Sequence, residues 1–255
     1  MEHRLTTITF SPGGSTENIT NLFCTFAGWT VGEKVDLLQP GNNEKRIYQA
    51  DEVVLIATPV FYGRMPAMVS HKLQEIKGTN TPAIALVVYG NRDYEDALLE
   101  LTDIMTTNGF TVFGAAAFIA RHSIFPQVAQ NRPDEEDKMA ICAFAKQCLT
   151  NIEMSAPQPL HIKGNRPYRP YATLPINPKG NASCTECGIC ARICPTQAID
   201  AQAPKKTNKE RCINCTACVY NCPIQARSYG GFLYKVGGAK FEKKCSEYKS
   251  PELFV

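Results

Sequence analysis

Eight of the 12 cysteines in this 255-residue chain fall within one short segment, and their spacing restricts what that segment can fold around. They form two runs with identical spacing, Cys184-x-x-Cys187-x-x-Cys190-x-x-x-Cys194-Pro195 and Cys212-x-x-Cys215-x-x-Cys218-x-x-x-Cys222-Pro223. No basic stretch followed by an apolar run opens the chain, so we expect no secretory signal and no disulfide framework. Closely spaced cysteines in a reducing compartment indicate a metal centre instead.

Structural zinc and iron–sulfur clusters both use Cys-x-x-Cys pairs, but zinc sites usually take four ligands in two pairs. Two identical runs of four, each ending in Cys-Pro, favour iron–sulfur clusters. Residues 181–228 resemble the bacterial two-[4Fe–4S] ferredoxins. That resemblance implies that the fourth cysteine of each run ligates the cluster of the other run. The implied ligand sets are Cys184, Cys187, Cys190 and Cys222 for one cluster, and Cys212, Cys215, Cys218 and Cys194 for the other.

The region before the cysteines alternates strand and helix patterns. Two continuous apolar runs, Val53–Thr58 and Ala83–Tyr89, are typical of strands buried on both faces of a parallel sheet. Further strands are predicted at 5–10, 34–38 and 111–119, and helices at 18–28, 66–76, 93–107 and 134–152. The pattern predicts an α/β fold with a five-stranded, doubly wound parallel sheet. The expected parts are this domain (1–153), a proline-rich linker (154–180), a small α+β domain (181–228) and a C-terminal tail (229–255).

Loops after the first, third and fourth predicted strands carry candidate ligand-binding residues. The first has glycines and hydroxyls at a helix start, which suit a phosphate; its candidates are Ser11, Gly13, Gly14, Ser15, Thr16 and Asn18. The second offers an aromatic face, with candidates Thr58, Pro59, Val60, Phe61, Tyr62 and Gly63. The third comprises Tyr89, Gly90, Asn91, Arg92, Asp93 and Tyr94. Such loops meet at one edge of a doubly wound sheet, so we expect a common crevice.

The first loop lacks the ending of a Walker A motif and the Gly-x-Gly-x-x-Gly pattern. It resembles the phosphate loop of flavodoxins, roughly Ser/Thr-x-Thr-Gly-x-Thr, with Ser11, Gly14 and Thr16 matching and Gly13 replacing the middle threonine. Together, the two halves resemble the fused flavodoxin–ferredoxin proteins of anaerobes. The resemblance implies a flavodoxin-like strand order, 2-1-3-4-5, and FMN held by the three loops in a chain that also carries two [4Fe–4S] clusters.

Charge divides unevenly along the chain. Residues 1–153 hold 12 basic and 18 acidic side chains (net −6), whereas residues 154–255 hold 15 and 6 (net +9). Anionic clusters would offset this excess and no nucleic-acid motif is present, so we expect no nucleic-acid partner. No apolar run approaches the roughly 18 residues of a membrane span, and we expect a cytoplasmic protein. Since flavodoxin-like reductases often dimerise, a homodimer is compatible with the resemblance.

On this interpretation the chain passes electrons between the clusters and FMN, with redox proteins as partners. No residue pattern indicates a proton-transfer catalyst, so a carrier is favoured over an enzyme and no catalytic residue is predicted. The four histidines are scattered and are expected to be surface or core residues, and 121–126 is left outside the predicted site. Two alternatives stay open: an FMN-dependent reductase of a small substrate fed by the clusters, and a ferredoxin whose α/β domain is a flavin-free docking module.

Overall fold

The computed structural model describes residues 4–39 and 44–255. The strands are β1 (Arg4–Thr9), β2 (Val31–Asp36), β3 (Arg46–Tyr48), β4 (Glu52–Pro59), β5 (Ile76–Gly78), β6 (Thr81–Tyr89), β7 (Phe110–Ile119), β8 (Lys179–Gly180), β9 (Arg227–Ser228) and β10 (Glu252–Phe254). The helices are α1 (Ser15–Ala27), α2 (Ala67–Leu73), α3 (Ala97–Thr107), α4 (Glu135–Glu153), α5 (Ile189–Arg192), α6 (Ala217–Tyr220) and α7 (Phe232–Lys244). None of the helices within these described residues is long and apolar enough to cross a membrane.

The main sheet has the order β10-β7-β6-β4-β1-β2. All neighbouring pairs are parallel except β10, which runs antiparallel to β7. The five parallel strands therefore follow the predicted order 2-1-3-4-5, which confirms the flavodoxin-like fold. Helices cover both faces: Phe23 of α1 and Phe144 of α4 meet edge to face on one side, and α3 packs Leu98 and Leu101 on the other. Because helices cover both faces of the sheet, the sequences of the central strands are continuously apolar.

Helix boundaries differ from the sequence expectation where loops take left-handed backbone conformations. Helix α1 begins at Ser15 rather than Asn18, because Gly14 occupies the N-cap with φ of 83°. Helix α3 begins at Ala97 rather than Asp93, since Asn91 and Glu95 have φ of 62° and 43°, which a continuing helix excludes. The loop after β6 is thereby longer than predicted.

The C-terminal segment differs most from expectation. Instead of a simple tail, residues 229–255 form α7 and then β10, which adds a sixth strand beside β7. Residues Gly237 and Gly238 lie inside α7 and weaken its helical signal in the sequence. Cys245, which ends this helix, is only 5% exposed and packs with Ile124 and Phe125. The tail is therefore part of the first domain's packing.

The linker, as predicted, has little regular structure, but it is tied along α3. The Tyr168 hydroxyl and the Arg166 guanidinium donate to Asp103, and Tyr171 donates to Glu100 at 2.9 Å. The backbone N–H of Arg169 donates to Asp96 at 2.8 Å. The proline-rich linker is therefore packed against α3 of the first domain.

Candidate functional site

The first loop forms a small polar cavity at the start of α1. Ser11 Oγ accepts a hydrogen bond from the Glu17 N–H at 2.9 Å, which fixes the loop against the first helical turn. Four of the predicted residues, Ser11, Gly13, Ser15 and Thr16, line this phosphate-loop cavity of about 70 Å³. A helix start with adjacent hydroxyls and unpaired backbone N–H groups suits an anionic group.

The second loop is a tight turn that presents aromatic side chains. Phe61 and Arg64 exchange backbone hydrogen bonds of 2.8 and 3.2 Å across Tyr62 and Gly63, whose φ angles are 56° and 78°. Two consecutive positive φ values define a type I′ turn. A Cβ at Gly63 would collide with Glu95 of the third loop, so glycine permits the close approach of the two loops. The turn places Phe61 and Tyr62 along a larger cavity of about 240 Å³, the ring cavity.

The third loop completes the ring cavity. Tyr89 and Gly90 line both cavities, so the two cavities adjoin along one edge of the sheet. Arg92 and Asp93 line the ring cavity. The buried Tyr62 hydroxyl and the Arg92 Nη2 atom have no hydrogen-bond partner in the protein. Such orphaned polar atoms beside an aromatic-lined cavity fit a flat ligand with polar edges, and FMN meets this description.

Five of the predicted ligand-binding residues do not line either cavity. Gly14 caps α1, Asn18 lies exposed on that helix, and Thr58 is buried within β4. Asn91 turns away and donates to the carbonyls of Cys245 and Glu247, both at 2.8 Å. Tyr94 is fully buried, and its hydroxyl donates to Glu252 of β10 at 2.7 Å. These last two residues hold the C-terminal segment in place.

Sequence reasoning left out the loop after β7, which the structure places between the cavities. His122 and Ser123 line both of them. His122 Nδ1 accepts the backbone N–H groups of Ile124 and Phe125 at 3.2 and 3.1 Å. Burial, with the nearby Arg92 charge, lowers the pKa of His122 to about 4, so the imidazole is neutral at pH 7. The available signal was positional, since this loop also follows a strand end at the ligand-binding edge.

The eight cysteines of the two runs surround two further cavities of about 20 Å³ each. The outer quartet lining one cavity is Cys184, Cys187, Cys190 and Cys222. The inner quartet lining the other is Cys194, Cys212, Cys215 and Cys218. Each set combines three cysteines of one run with the fourth of the other, which is the grouping that the sequence resemblance implied. Among the residues described, no three His, Cys, Asp or Glu side chains are grouped so as to hold a single metal ion, so neither quartet is arranged as a one-metal site.

The two runs fold alike around their cavities. Helices α5 and α6 are single turns that follow left-handed residues, Gly188 with φ of 74° and Thr216 with φ of 67°. The N–H of Ala198 donates to Cys194 Sγ at 3.2 Å, and the N–H of Ala226 donates to Cys222 Sγ at the same distance. Hydrogen bonds to sulfur are a recognised means of stabilising and tuning iron–sulfur clusters. The residues present therefore fit one four-iron cluster in each quartet.

Burial makes the inner quartet unfavourable for free thiolates. Desolvation raises the pKa of Cys218 to about 11 and raises that of Cys215 well above its usual range. These thiols would be protonated at neutral pH in the cluster-free protein, and binding iron as thiolates would release their protons.

The inner quartet lies directly against the first domain. Cys215 and Thr216 line the phosphate-loop cavity, and Ile213 and Asn214 line the ring cavity. The Tyr220 hydroxyl of α6 donates to the Ser123 carbonyl at 3.2 Å. By contrast, Cys187 of the outer quartet is exposed to solvent. One quartet thus faces the candidate FMN site and the other faces outward.

Comparison with known proteins agrees with the cysteine geometry. Residues 183–226 match the model of a 4Fe-4S dicluster domain. Over 79 residues the chain is 32% identical to the trichloroethene reductive dehalogenase of Dehalococcoides mccartyi (strain ATCC BAA-2266 / KCTC 15142 / 195). That match spans 25% of this chain and only 14% of the length of the relative.

Several flavodoxin-fold structures align with the first part of the chain at low identity. An archaeal flavodoxin aligns over 59% of this chain and 99% of its own (11% identity, TM-score 0.39). A short-chain flavodoxin associated with a non-canonical PDU bacterial microcompartment aligns over 60% of this chain and 99% of its own (15% identity, TM-score 0.43). The rubredoxin oxygen:oxidoreductase of Desulfovibrio gigas aligns over 60% of this chain and 37% of its own (15% identity, TM-score 0.44).

The strand order and the family match define the class of protein. A flavodoxin-like α/β domain, identified by its sheet, precedes a 4Fe-4S dicluster domain in one chain. The chain is therefore a flavodoxin–ferredoxin fusion in its architecture.

Proposed function

We propose that this protein is an electron-transfer iron–sulfur flavoprotein that exchanges electrons between two [4Fe–4S] clusters and FMN. One observation carries the proposal: the loop of the inner quartet, residues 213–216, lines both cavities of the candidate FMN site. A cluster quartet and a flavin-type cavity that share a wall need no separate docking step to exchange electrons.

The residues that would hold FMN fall into two groups. Ser11, Gly13, Ser15 and Thr16 would receive the phosphate at the start of α1. The isoalloxazine ring would lie against Phe61, Tyr62, Tyr89, Arg92 and His122. The neutral imidazole of His122 accepts hydrogen bonds at Nδ1, so its proton is on Nε2. When bound, FMN exchanges one or two electrons and each cluster exchanges one electron, so the protein contributes the positions and the electrostatic surroundings of these groups.

A carrier is favoured over a reductase of a small substrate because side chains from three further segments line the ring cavity and reduce the room beside a bound ring. Phe241 of α7, Phe125 of the loop after β7 and Asn214 of the inner-quartet loop all line it. The Phe241 ring stands 4.8 Å from that of His122 and 5.2 Å from that of Phe125, centroid to centroid. Helix α7 therefore forms part of the wall of this cavity.

The outer quartet is the proposed contact for redox protein partners, because Cys187 is exposed there. Eight cysteines that must stay reduced until iron binds suit a reducing compartment, and we propose the cytoplasm.

The test is anaerobic purification followed by quantification of iron, acid-labile sulfide and released flavin per chain. We expect about eight iron atoms, about eight sulfides and about one FMN, as two four-iron clusters and one flavin require. A Cys215→Ala variant should lose about half of the iron, whereas Cys142→Ala, outside both runs, should keep all of it. Full iron with no flavin, even after FMN is added, would contradict the flavoprotein and leave a ferredoxin with a docking domain.

A further inference from the structure

The internal repeat of the dicluster domain places two different residues at matching positions. Ile199 stands five residues after Cys194, and Arg227 stands five residues after Cys222. Ile199 is 5% exposed and packs against Cys190 and Cys218, while Arg227 is 2% exposed. One copy of the repeat therefore fills the position with an apolar side chain, and the other fills it with a buried cation.

The surroundings of Arg227 are polar but uncharged. Nη1 donates to the Pro204 carbonyl and lies 4.0 Å from Cys190 Sγ. Nη2 donates to the Pro178 carbonyl at 3.0 Å and to the Thr207 hydroxyl at 2.5 Å. Nε is buried with no hydrogen-bond partner. Among the ion pairs of the described residues, none involves Arg227.

A permanently charged guanidinium buried without a carboxylate is costly, and protein interiors rarely keep one uncompensated. Cys190 belongs to the outer quartet and packs in one cluster with Cys218 of the inner quartet. The charge of Arg227 also opposes the rise that burial causes in the pKa of Cys218. Cysteines that ligate iron are thiolates, and clusters held by four of them are anionic. The missing counter-charge is therefore supplied from both sides once the quartets are loaded.

We propose that Arg227 is the shared counter-charge of both clusters and raises the reduction potential of each. The proposal rests on the proposed function, since it requires a cluster in each quartet. One-electron reduction of a cluster by an external reductant adds one negative charge to it. A fixed cation nearby in a medium of low dielectric constant stabilises the reduced form more than the oxidised form. Ile199, at the matching position, provides no such effect.

The experiment uses the full-length protein, purified anaerobically and titrated with dithionite while the cluster signals are followed by electron paramagnetic resonance. Arg227→Ile copies the other repeat, Arg227→Gln keeps polar donors without charge, and Arg227→Lys keeps the charge. Arg211→Gln, at an exposed arginine of the same domain, is the control for net charge. In the Ile and Gln variants we expect each cluster's reduction equilibrium to fall about tenfold or more, which is about 59 mV for one electron.

The Lys variant should retain most of the wild-type potential, and Arg211→Gln should shift it little because solvent screens that charge. Wild-type potentials in the Ile and Gln variants, with iron content near that of the wild type, would overturn the proposal. Loss of iron from both neutral variants would also overturn it, in favour of a purely structural role. Failure of the wild type itself to hold two clusters would instead refute the proposed function, so the two failures are distinguishable.

Discussion

At the scale of single residues, the site is built from buried polar groups whose usual partners are absent from the protein. The Tyr62 hydroxyl and Arg92 Nη2 are orphaned at the ring cavity, and Arg227 Nε is orphaned among the cysteines. His122 is the opposite case, because two backbone N–H groups hold its Nδ1 as an acceptor. Unsatisfied groups indicate where ligands supply the missing charge or hydrogen bonds. A satisfied, neutral histidine instead makes stability depend on pH.

The His122 prediction concerns acid sensitivity. Its pKa is about 4 in the folded state, below the ordinary value of 6.5, so between these values the unfolded chain binds the extra proton. Stability from this group is present above pH 6.5 and is lost as pH falls toward 4. Between pH 6.5 and 5.0, we expect wild type to lose about 1.5 kcal/mol more unfolding free energy than His122→Asn, which keeps an acceptor but does not titrate. Anaerobic urea titrations at both pH values measure this, and equal losses would contradict the neutral buried imidazole.

At the scale of elements, α3 carries two ion pairs of unequal burial beside the linker, one to the loop after β4 and one to the linker itself. Arg64 and Glu100 meet at 2.7 Å with side chains 9% and 2% exposed, and Tyr168 and Tyr171 lie over the guanidinium. One turn further along, Asp103 pairs with Arg166, which is 63% exposed. Buried pairs are costly to break because one charge is left unpaired, whereas exposed pairs contribute little. The same helix therefore offers a matched comparison.

The element-scale prediction compares Glu100→Gln with Asp103→Asn. We expect Glu100→Gln to lower the free energy of unfolding by about 3–5 kcal/mol, because Arg64 remains buried without its counter-charge. Asp103→Asn should lower it by about 1 kcal/mol or less, since solvent replaces the exposed partner. Urea unfolding of both variants provides the measurement. Similar losses for the two would show that the linker contacts, rather than charge burial, determine the stability.

At the scale of the whole molecule, the two domains are docked through α6 and the linker. The Tyr220 hydroxyl bonds to the Ser123 carbonyl, and its ring lies against Gly13 of the phosphate loop. Asn214, next to the inner quartet, accepts the Leu174 N–H at 2.9 Å and donates to the Ile176 carbonyl at 2.6 Å. Among the ion pairs of the described residues, three join the linker to the first domain and one joins Lys163 of the linker to Glu252 of the tail. None joins residues 1–153 directly to 181–228. Packing and neutral hydrogen bonds therefore hold the docked arrangement.

The docking prediction uses Tyr220→Ala, with Tyr248→Ala as control at a similarly exposed tyrosine away from the interface. Losing a hydrogen bond worth about 1 kcal/mol should raise the undocked population about fivefold. Hydrogen exchange at the Leu174 amide, which is protected by Asn214, should accelerate by that factor in Tyr220→Ala and stay unchanged in Tyr248→Ala. Unchanged exchange in both variants would show that α6 does not control docking.

Much of the fold was predictable because its signals are local. Identical Cys-x-x-Cys-x-x-Cys-x-x-x-Cys-Pro runs at 184–195 and 212–223 specify a cluster domain through chain geometry alone, and apolar runs such as Val53–Thr58 specify buried parallel strands. The three ligand loops were also predictable in position, because strand ends of a doubly wound sheet meet at one edge. Their role in binding FMN stays a prediction.

What the sequence by itself determined was therefore the content of each domain and the strand order that its family resemblance implied. Tertiary structure alone decided that α7 lines the ring cavity, that β10 joins the sheet and that His122 lines both cavities. It also decided that the inner quartet, not the outer, faces the candidate flavin site. These features depend on contacts between residues far apart in the chain, such as Tyr220 with Ser123, 97 positions apart, and Tyr94 with Glu252, 158 positions apart. The spacing of neighbouring residues in the sequence does not indicate such contacts, because they form only when packing brings distant segments together.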